Sequence, residues 1–124
     1  MSALNVQADL RRRLAAALPR VKVAVAVPET IPPELIVVRR EGGHRINSTQ
    51  DAPGVGVDVW AETESRACAL ASIVSAVMHS LAFADGYERV DEETMGSQYD
   101  VLSHRPHWYA SYTLRTHNPE NYNK

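Results

Sequence analysis

The sequence contains few of the residues on which secreted domains and small enzymes depend. Cys68 is the one cysteine, so an internal disulfide is excluded. Its position among alanines and leucines is typical of a small buried side chain, and we expect a reducing compartment. No uninterrupted apolar run of about 18 residues occurs, and the start of the chain lacks a basic-then-apolar pattern. We therefore predict neither a membrane span nor a signal peptide.

The sequence is also poor in net charge. Its 124 residues carry a net charge of -2, which argues against a protein that binds nucleic acid through bulk positive charge. A hydrophobic content of 44% is ordinary for a globular domain. A chain of this length builds one core but not two. We therefore predict a single domain over residues 1–124.

Catalytic and cofactor motifs are missing as well. Gly54-Val55-Gly56 has no third glycine at the spacing of a dinucleotide-binding loop, and it precedes a strand rather than a helix. His104 and His107 are three residues apart, with Asp100 and His117 nearby, but histidines around a proline are more typical of a surface than of a metal site. We predict no catalytic residues, no metal and no cofactor.

Asp58 and His107 are residue types that can form an acid/base pair. Nothing in the sequence places them together, and the simpler expectation is that Asp58 pairs with an arginine or faces solvent. Trp60 and Trp108 lie in predicted strands with few basic neighbours. This favours a place in the core or a protein interface over stacking on nucleic acid.

The chain is organised around a strand that leads directly into a long helix, Val55 to Leu81. Valines at alternate positions from 55 to 59 share one strand face. Thr63 is the predicted N-cap of a helix over Arg66 to Leu81. One side of this helix has the spacing of a core-facing stripe, which comprises Ala67, Leu70, Ala71, Val74, Val77, Met78 and Leu81.

The opposite side of the same helix carries small residues, namely Cys68, Ala69, Ser72, Ser75, Ala76 and Ser80. No Lys, Arg, Asp or Glu occurs between Arg66 and Asp85, although a solvated face usually carries long charged side chains. The helix is either buried within its own domain or held between its sheet and a neighbouring subunit. On the second interpretation, the predicted subunit interface comprises Ala69, Ser72, Ser75, Ala76 and His79.

The first third of the chain predicts one helix and two strands. Ser2 to Leu18 has a helical pattern that Pro19 ends. Its basic run is either a solvated face or a contact for an acidic partner, and it consists of Arg11, Arg12 and Arg13. Strands are predicted over Val21 to Val27 and Glu34 to Arg40, and the four apolar residues within the second favour a strand covered on both faces.

The polar stretch Arg45 to Pro53 predicts a flexible loop or the tip of a long hairpin. We expect this segment to become ordered on a partner, and the residues proposed to contact it are Arg45, Asn47, Ser48, Thr49, Gln50 and Asp51.

After the long helix, two short strands are predicted over Tyr87 to Val90 and Tyr99 to Leu102, with a loop between them. A last, stronger strand covers His107 to His117, and a disordered tail is expected from residue 118. Consecutive strands without intervening helices favour an α+β domain. Its mixed or mainly antiparallel sheet would have about four to five strands, packed by the N-terminal helix and the long central helix.

Four segments carry a resemblance to a known family. They are the helix that ends at Leu18-Pro19, the strand Pro32 to Arg40, Asp58-Val59-Trp60-Ala61 with the helix Ala67 to Leu81, and the closing segment Arg105 to Tyr112. Their order resembles that of the small tail terminator, or tail completion, proteins of long-tailed bacteriophages. These proteins are also described as minor tail or tail-to-head joining proteins.

The resemblance implies a non-enzymatic structural protein of a phage or prophage virion, made in the bacterial host cytoplasm and placed in the tail. Such proteins form a hexameric ring that caps the tail tube, terminates its polymerisation and meets the head-tail connector protein. DNA passes through the ring without sequence-specific binding. The alternatives are another head-tail connector component, an interaction module, or a small α+β ligand-binding or enzymatic domain with Asp58, His104 and His107 near a cleft.

Overall fold

The computed structural model describes residues 5–100 and 104–117. The predicted start of the first helix and the tail from residue 118 lie outside this range. Within it the chain forms two α-helices, one 3-10 turn and five strands. In chain order these are α1 (Val6–Ala17), β1 (Lys22–Ala24), β2 (Leu35–Arg45), β3 (Gln50–Trp60), α2 (Glu64–Ser80), the 3-10 turn (Leu81–Phe83), β4 (Tyr87–Asp100) and β5 (Arg105–His117).

The described strands form one sheet in the order β1-β2-β3-β5-β4. β1 runs parallel to β2, whereas the other three neighbouring pairs are antiparallel. α1 packs on β1 and β2, and α2 packs on β3, β5 and β4. The predicted α+β class is confirmed, with a mixed sheet, an N-terminal helix and a long central helix.

The helix-covered face of the sheet holds the main core. Val55, Val57 and Val59 of β3 point into it, as their alternation predicts, and none is more than 2% exposed. Leu10 and Leu14 of α1 are fully buried in the same core. The predicted core stripe of α2 is confirmed, because Ala67, Leu70, Ala71, Val74, Met78 and Leu81 are buried and Val77 is half-buried.

The other face of the sheet, which we call the open face, is covered by apolar residues at one end. Leu35, Val37 and Trp60 form a second buried cluster there, against which Ala24 and Ile31 pack. Ile36 and Val38 point to the main core instead. The prediction that this strand is covered on both faces is therefore confirmed at its apolar centre.

α1 starts later than the sequence predicts. The side chain of Asn5 caps the helix by accepting a hydrogen bond from the Ala8 amide at 3.1 Å, and the helix begins at Val6. Val6 is buried. Ala17, the last residue of the helix, is exposed.

α2 begins with the predicted cap, because the Thr63 hydroxyl accepts a hydrogen bond from the Arg66 amide at 3.1 Å. The helix itself starts at Glu64, two residues before the predicted position. By length and composition, Glu64–Phe83 is apolar enough to cross a membrane, at a mean hydropathy of 1.5 over the window, contrary to the expectation from the sequence. A core helix of a soluble protein has the same composition, and one side of this helix packs on the sheet.

The prediction for the segment after the long helix is wrong at β4. It is one continuous strand of 14 residues rather than two short strands with a loop between them. Its acidic residues Asp91, Glu92 and Glu93 lie inside the strand. β4 lies at the edge of the sheet and pairs with β5. Charged side chains are common on edge strands, where they face water and discourage pairing with other chains, so an edge strand can have the composition of a loop.

β1 is shorter than predicted. It pairs with β2 over Lys22–Ala24, and the predicted strand residues Val25 and Val27 are 39% and 49% exposed. Alternation predicts an extended chain, but it cannot show where the neighbouring strand diverges.

The polar stretch Arg45 to Pro53 is the tip of a long hairpin, which was one of the two predicted alternatives. β2 continues to Arg45 and β3 starts at Gln50, so residues 46–49 form the connection. The pairing register shifts between Arg40 and Gly43, which marks a bulge.

Candidate functional site

The outer face of α2 is exposed. Cys68, Ala69, Ser72 and Ala76 all lie on the surface, which corrects the expectation that the Cys68 side chain is buried. The interpretation that α2 is buried within its own domain is wrong for the single chain. The helix has one packed side and one exposed side that carries no Lys, Arg, Asp or Glu after Arg66.

Two large apolar side chains extend this face, and sequence reasoning missed both. Ile73 is 37% exposed, and Phe83 is 93% exposed. They lie ten residues apart, about 80° short of three turns of an α-helix, so they are neighbours around the helix rather than in line along it. Phe83 could have been found by continuing the helical period past Leu81.

Ser75 and His79, two of the predicted interface residues, are engaged within the chain. The Ser75 hydroxyl donates a hydrogen bond to the Glu92 carboxylate at 2.9 Å, which ties α2 to β4. Nδ1 of His79 lies 2.8 Å from the Ser75 carbonyl oxygen. The Ser72 hydroxyl donates to the Cys68 carbonyl at 3.0 Å. The surface around Ala69, Ser72 and Ala76 therefore offers shape and apolar contact rather than free polar groups.

A polar network crosses three strands on the open face. Oδ1 of Asp58 lies 2.7 Å from Nε2 of His107, and Oδ2 of Asp58 lies 2.8 Å from a terminal nitrogen of Arg39. The Asp58 side chain is only 8% exposed. The structure therefore brings together the two residues that the sequence could not place, and it also supplies the expected arginine.

Trp60 fixes the position of this imidazole. Its ring stacks on that of His107, with centroids 4.5 Å apart and planes 4° from parallel. Both carboxylate oxygens of Asp58 are held, one by the imidazole and one by Arg39. The arrangement orients a histidine, but its contacts serve to join β2, β3 and β5.

Glu41 and Tyr109 continue the network along the open face. The Tyr109 hydroxyl donates to the Glu41 carboxylate at 2.5 Å, and Glu41 lies 3.7 Å from Arg39. Burial, together with the hydrogen bond to Glu41, raises the pKa of Tyr109 to about 12. The Glu41 carboxylate occupies the space above Gly56, where a Cβ atom would clash with it.

The hairpin tip is held by its own hydrogen bonds. The amides of Ile46 and Asn47 both donate to the Gln50 carbonyl, at 2.8 and 3.2 Å. The Asn47 side chain accepts from the amide and the hydroxyl of Thr49. Gln50 donates to Glu88 at 2.7 Å, which joins the tip to β4. Of the proposed partner contacts, Arg45, Asn47 and Ser48 are exposed and Thr49, Gln50 and Asp51 are half-buried.

The basic run on α1 is partly neutralised. Arg12 and Arg13 both bind Asp9, at 2.5 and 2.8 Å, while Arg11 is exposed. The Tyr87 hydroxyl donates to the same carboxylate at 2.6 Å. Burial alone would raise the pKa of Asp9, but the hydrogen bonds from Tyr87, Arg13 and Arg12 outweigh it and lower the pKa below its usual value.

Within residues 5–100 and 104–117, no cluster of three or more ligand side chains could hold a metal ion. His107 and His117 occupy the two ends of β5, ten residues apart, a distance of about 33 Å along an extended strand. They cannot reach one ion.

A shallow cleft of about 320 Å³ opens beside β1, lined by Arg20, Lys22, Pro32, Pro33, Glu34 and Glu62. Glu34 is already paired with Arg66 at 2.5 Å. The cleft does not include Asp58 or His107, which are the residues with acid/base chemistry.

Comparison with known proteins gives a structural likeness. No protein-family model and no curated protein matches the sequence. Among solved structures, a chain of the virion of a native gene transfer agent particle has the same fold, with a TM-score of 0.61 and 16% sequence identity. The match covers 94% of this chain and 96% of that chain. At this identity the likeness establishes the fold.

Proposed function

We propose that this protein is a structural component of a long-tailed phage or prophage virion. It forms a ring, expected to be a hexamer, that caps the tail tube, terminates its polymerisation and joins the tube to the head connector. DNA passes through the ring without sequence-specific contacts. In this role the protein needs neither a catalytic centre nor a cofactor.

The observation that carries the proposal is the shared fold with a virion chain over nearly the whole length of both proteins. A likeness confined to one motif would leave room for a different architecture around it. The order of elements in the sequence independently resembles tail terminators. Fold likeness alone is a weak guide to function, so the surfaces must also suit the role.

The outer face of α2 suits a subunit interface. An exposed helix side with no Lys, Arg, Asp or Glu after Arg66, followed by a Phe83 that is 93% exposed, is unfavourable in water and favourable against another protein surface. We assign Ala69, Ser72 and Ala76 to this contact, with Ser75 and His79 at its margin. Small side chains there allow a neighbouring backbone to approach closely.

The remaining predicted contacts are assigned to other partners. The hairpin tip offers the exposed Arg45, Asn47 and Ser48 to the tail tube or connector. Arg11 is the member of the basic run that is exposed and has no part in the Asp9 pairs, so it would make an electrostatic contact with an acidic partner.

An acid/base enzyme is the second candidate, favoured by the 2.7 Å contact between Asp58 and His107. Arg39 and Trp60 hold this pair on the face of the sheet, outside the cleft beside β1. A substrate would have to bind on a broad strand surface.

Another head-tail connector component is the remaining alternative. It would use the same surfaces as a tail terminator and would differ in the protein that it binds.

The test is a tube-termination assay. The protein is mixed with the tail tube protein of the same phage or prophage during polymerisation, and tube length is measured by electron microscopy. We expect short tubes capped by six-fold rings. The matched variant Ala69→Glu should leave tube length unchanged from that without the protein. Tubes of the same length with and without the wild-type protein would contradict the proposed function.

A further inference from the structure

The connection between β1 and β2 runs over the open face of the sheet. We call residues 28–33 of this connection the strap, and three of its six residues are prolines. Ile31 of the strap packs against the buried cluster of Leu35, Val37 and Trp60. Both helices pack on the other face of the sheet, so the strap supplies cover here that no helix gives.

One side chain fastens the strap to the sheet. The Arg105 guanidinium donates hydrogen bonds to the carbonyl oxygens of three consecutive strap residues. The distances are 3.3 Å to Ile31 and 2.7 Å to Pro32, and the third bond is to Pro33. Arg105 belongs to β5, two residues before His107, so both side chains lie on the open face. Within the described part of the chain, the strap makes no hydrogen bonds other than these three.

The chain is held on both sides of the strap. Glu34, the next residue, binds two guanidinium nitrogens of Arg66 at 2.5 and 3.2 Å, which ties this end to α2. On the other side, Ala24 ends β1 and packs against the same apolar cluster. The prolines within the strap, Pro28 and Pro32 among them, fix their own φ angles. The segment is therefore stiff and lies between two fixed points.

We propose that the strap is a lid that Arg105 holds shut over the Trp60 end of the open face. Because no strap residue belongs to a strand, the lid can open while the sheet beneath it stays folded. Opening exposes the apolar cluster next to the pair of Asp58 and His107. Two strap prolines also line the cleft beside β1, so the same movement changes the shape of that cleft. The strap and α2 lie on opposite faces of the sheet, and this inference does not depend on the proposed ring.

Acrylamide quenching of Trp60 fluorescence tests the lid. A Trp108→Phe background leaves Trp60 as the single tryptophan, and its side chain is buried while the lid is shut. In this background Arg105→Ala should raise the quenching constant about threefold or more, because the lid is open for more of the time. The matched control is Arg115→Ala, which removes an exposed arginine of the same strand that binds none of the described residues. The control should leave the quenching constant unchanged.

Thiol labelling gives a second readout that does not require the alanine variant to fold. In a Cys68→Ser background, Ile31→Cys places a thiol on the strap, and Val77→Cys places one at a half-buried position of α2. Arg105→Lys keeps the charge but replaces two donating nitrogens by one. It should speed the reaction of a maleimide with the thiol at position 31 about tenfold and leave the reaction at position 77 unchanged.

Each result either supports or overturns the inference. If Arg105→Ala keeps the circular dichroism spectrum of its parent and the same quenching constant, the lid is excluded. An equal rise in quenching for Arg115→Ala would also exclude it. Equal acceleration of labelling at positions 31 and 77 would show that Arg105 supports the whole fold, which overturns the inference as well. If Arg105→Ala does not fold, the labelling rates of the Arg105→Lys variants decide alone.

Discussion

The carboxylate of Asp58 and the imidazole of His107 meet at 2.7 Å, although 49 residues separate them in the chain. β3 and β5 are antiparallel neighbours, and Asp58 is paired in register with Tyr109, two residues beyond His107. The contact is therefore a diagonal one on one face of the sheet. Arg39 from β2 completes it, so one buried carboxylate links three strands.

We expect Asp58→Asn to lower the free energy of unfolding by about 1.5–3 kcal/mol. The amide cannot accept strong hydrogen bonds from both Arg39 and His107, and the group is nearly inaccessible to water. Urea denaturation measures the loss. The control is Asp91→Asn, which breaks the exposed pair with Arg89 and should change stability by less than about 1 kcal/mol. Equal losses in the two variants would contradict the structural role of Asp58.

The hydrogen bonds of Asp9 should make the stability of the fold depend on pH. Because its folded pKa is lowered, its hydrogen bonds stabilise the fold fully above the unfolded pKa of about 3.9, and that contribution is lost as pH falls through the folded value. Asp9→Asn should therefore be less stable than wild type at pH 7, with the difference shrinking below about pH 4. Urea denaturation at several pH values tests this. A constant difference between pH 7 and pH 2 would contradict it.

Replacing each of three glycines by alanine should lower the stability by a different amount, according to the backbone angle and the space available for a Cβ atom. Gly43 has φ +90°, and a Cβ there would clash with the backbone of Ala52, so Gly43→Ala should cost about 2–3 kcal/mol. At Gly56 the clash is with the Glu41 carboxylate, which can move if it gives up Tyr109, so Gly56→Ala should cost about 1 kcal/mol. Gly96→Ala meets nothing within 4 Å and should be neutral within about 0.5 kcal/mol. Denaturation midpoints that do not follow this order would argue against these contacts.

Ala69→Glu and Ser72→Glu should disrupt assembly without unfolding the chain. Both positions are exposed in the single chain, so a glutamate stays solvated until a neighbour covers it. Light scattering measures assembly, and thermal denaturation checks the fold. Ala16→Glu introduces the same charge at an exposed helical alanine of α1 and serves as the control. Normal assembly of both α2 variants would exclude this face from the interface.

Amide hydrogen exchange tests the order of the hairpin tip. We expect amides within Arg45 to Pro53 to exchange faster than those at the centres of β2 and β3, and fastest in residues 47–49, which lie between the strands. Binding of a partner at the tip should slow them. Protection at 47–49 equal to that of Val57 in the free protein would contradict the expectation.

The helices and strands whose apolar residues recur at a regular spacing could be predicted from the sequence, because the face that carries those residues had to pack on the core. The α2 stripe and the valines of β3 are examples. β4 could not be predicted, since an edge strand has one neighbour and can carry loop-like residues such as Glu92 and Glu93. Cys68 was misjudged for a related reason. The alanines and leucines around Cys68 are typical of a buried position. The sequence does not show which apolar helix faces stay exposed to solvent in a single chain.

The network at Asp58 depended on pairing that composition does not encode. The residue types were recognised, and an arginine partner was the simpler expectation. Which arginine it would be, and that His107 would share the carboxylate, followed from the register of β3 against its two neighbours. Register is set by the whole sheet rather than by the residues that meet on it.

The position of β5 determines when the sheet can form. β5 is the last described strand in the chain, yet it lies between β3 and β4. During synthesis, β1, β2 and β3 can pair as soon as they emerge, but β3 keeps one free edge until residues 105–117 have left the ribosome. β4 has no neighbour in this sheet other than β5 and so must wait with it. Folding is therefore completed by a late, long-range step, and a nascent chain halted before residue 105 exposes the β3 edge to other proteins.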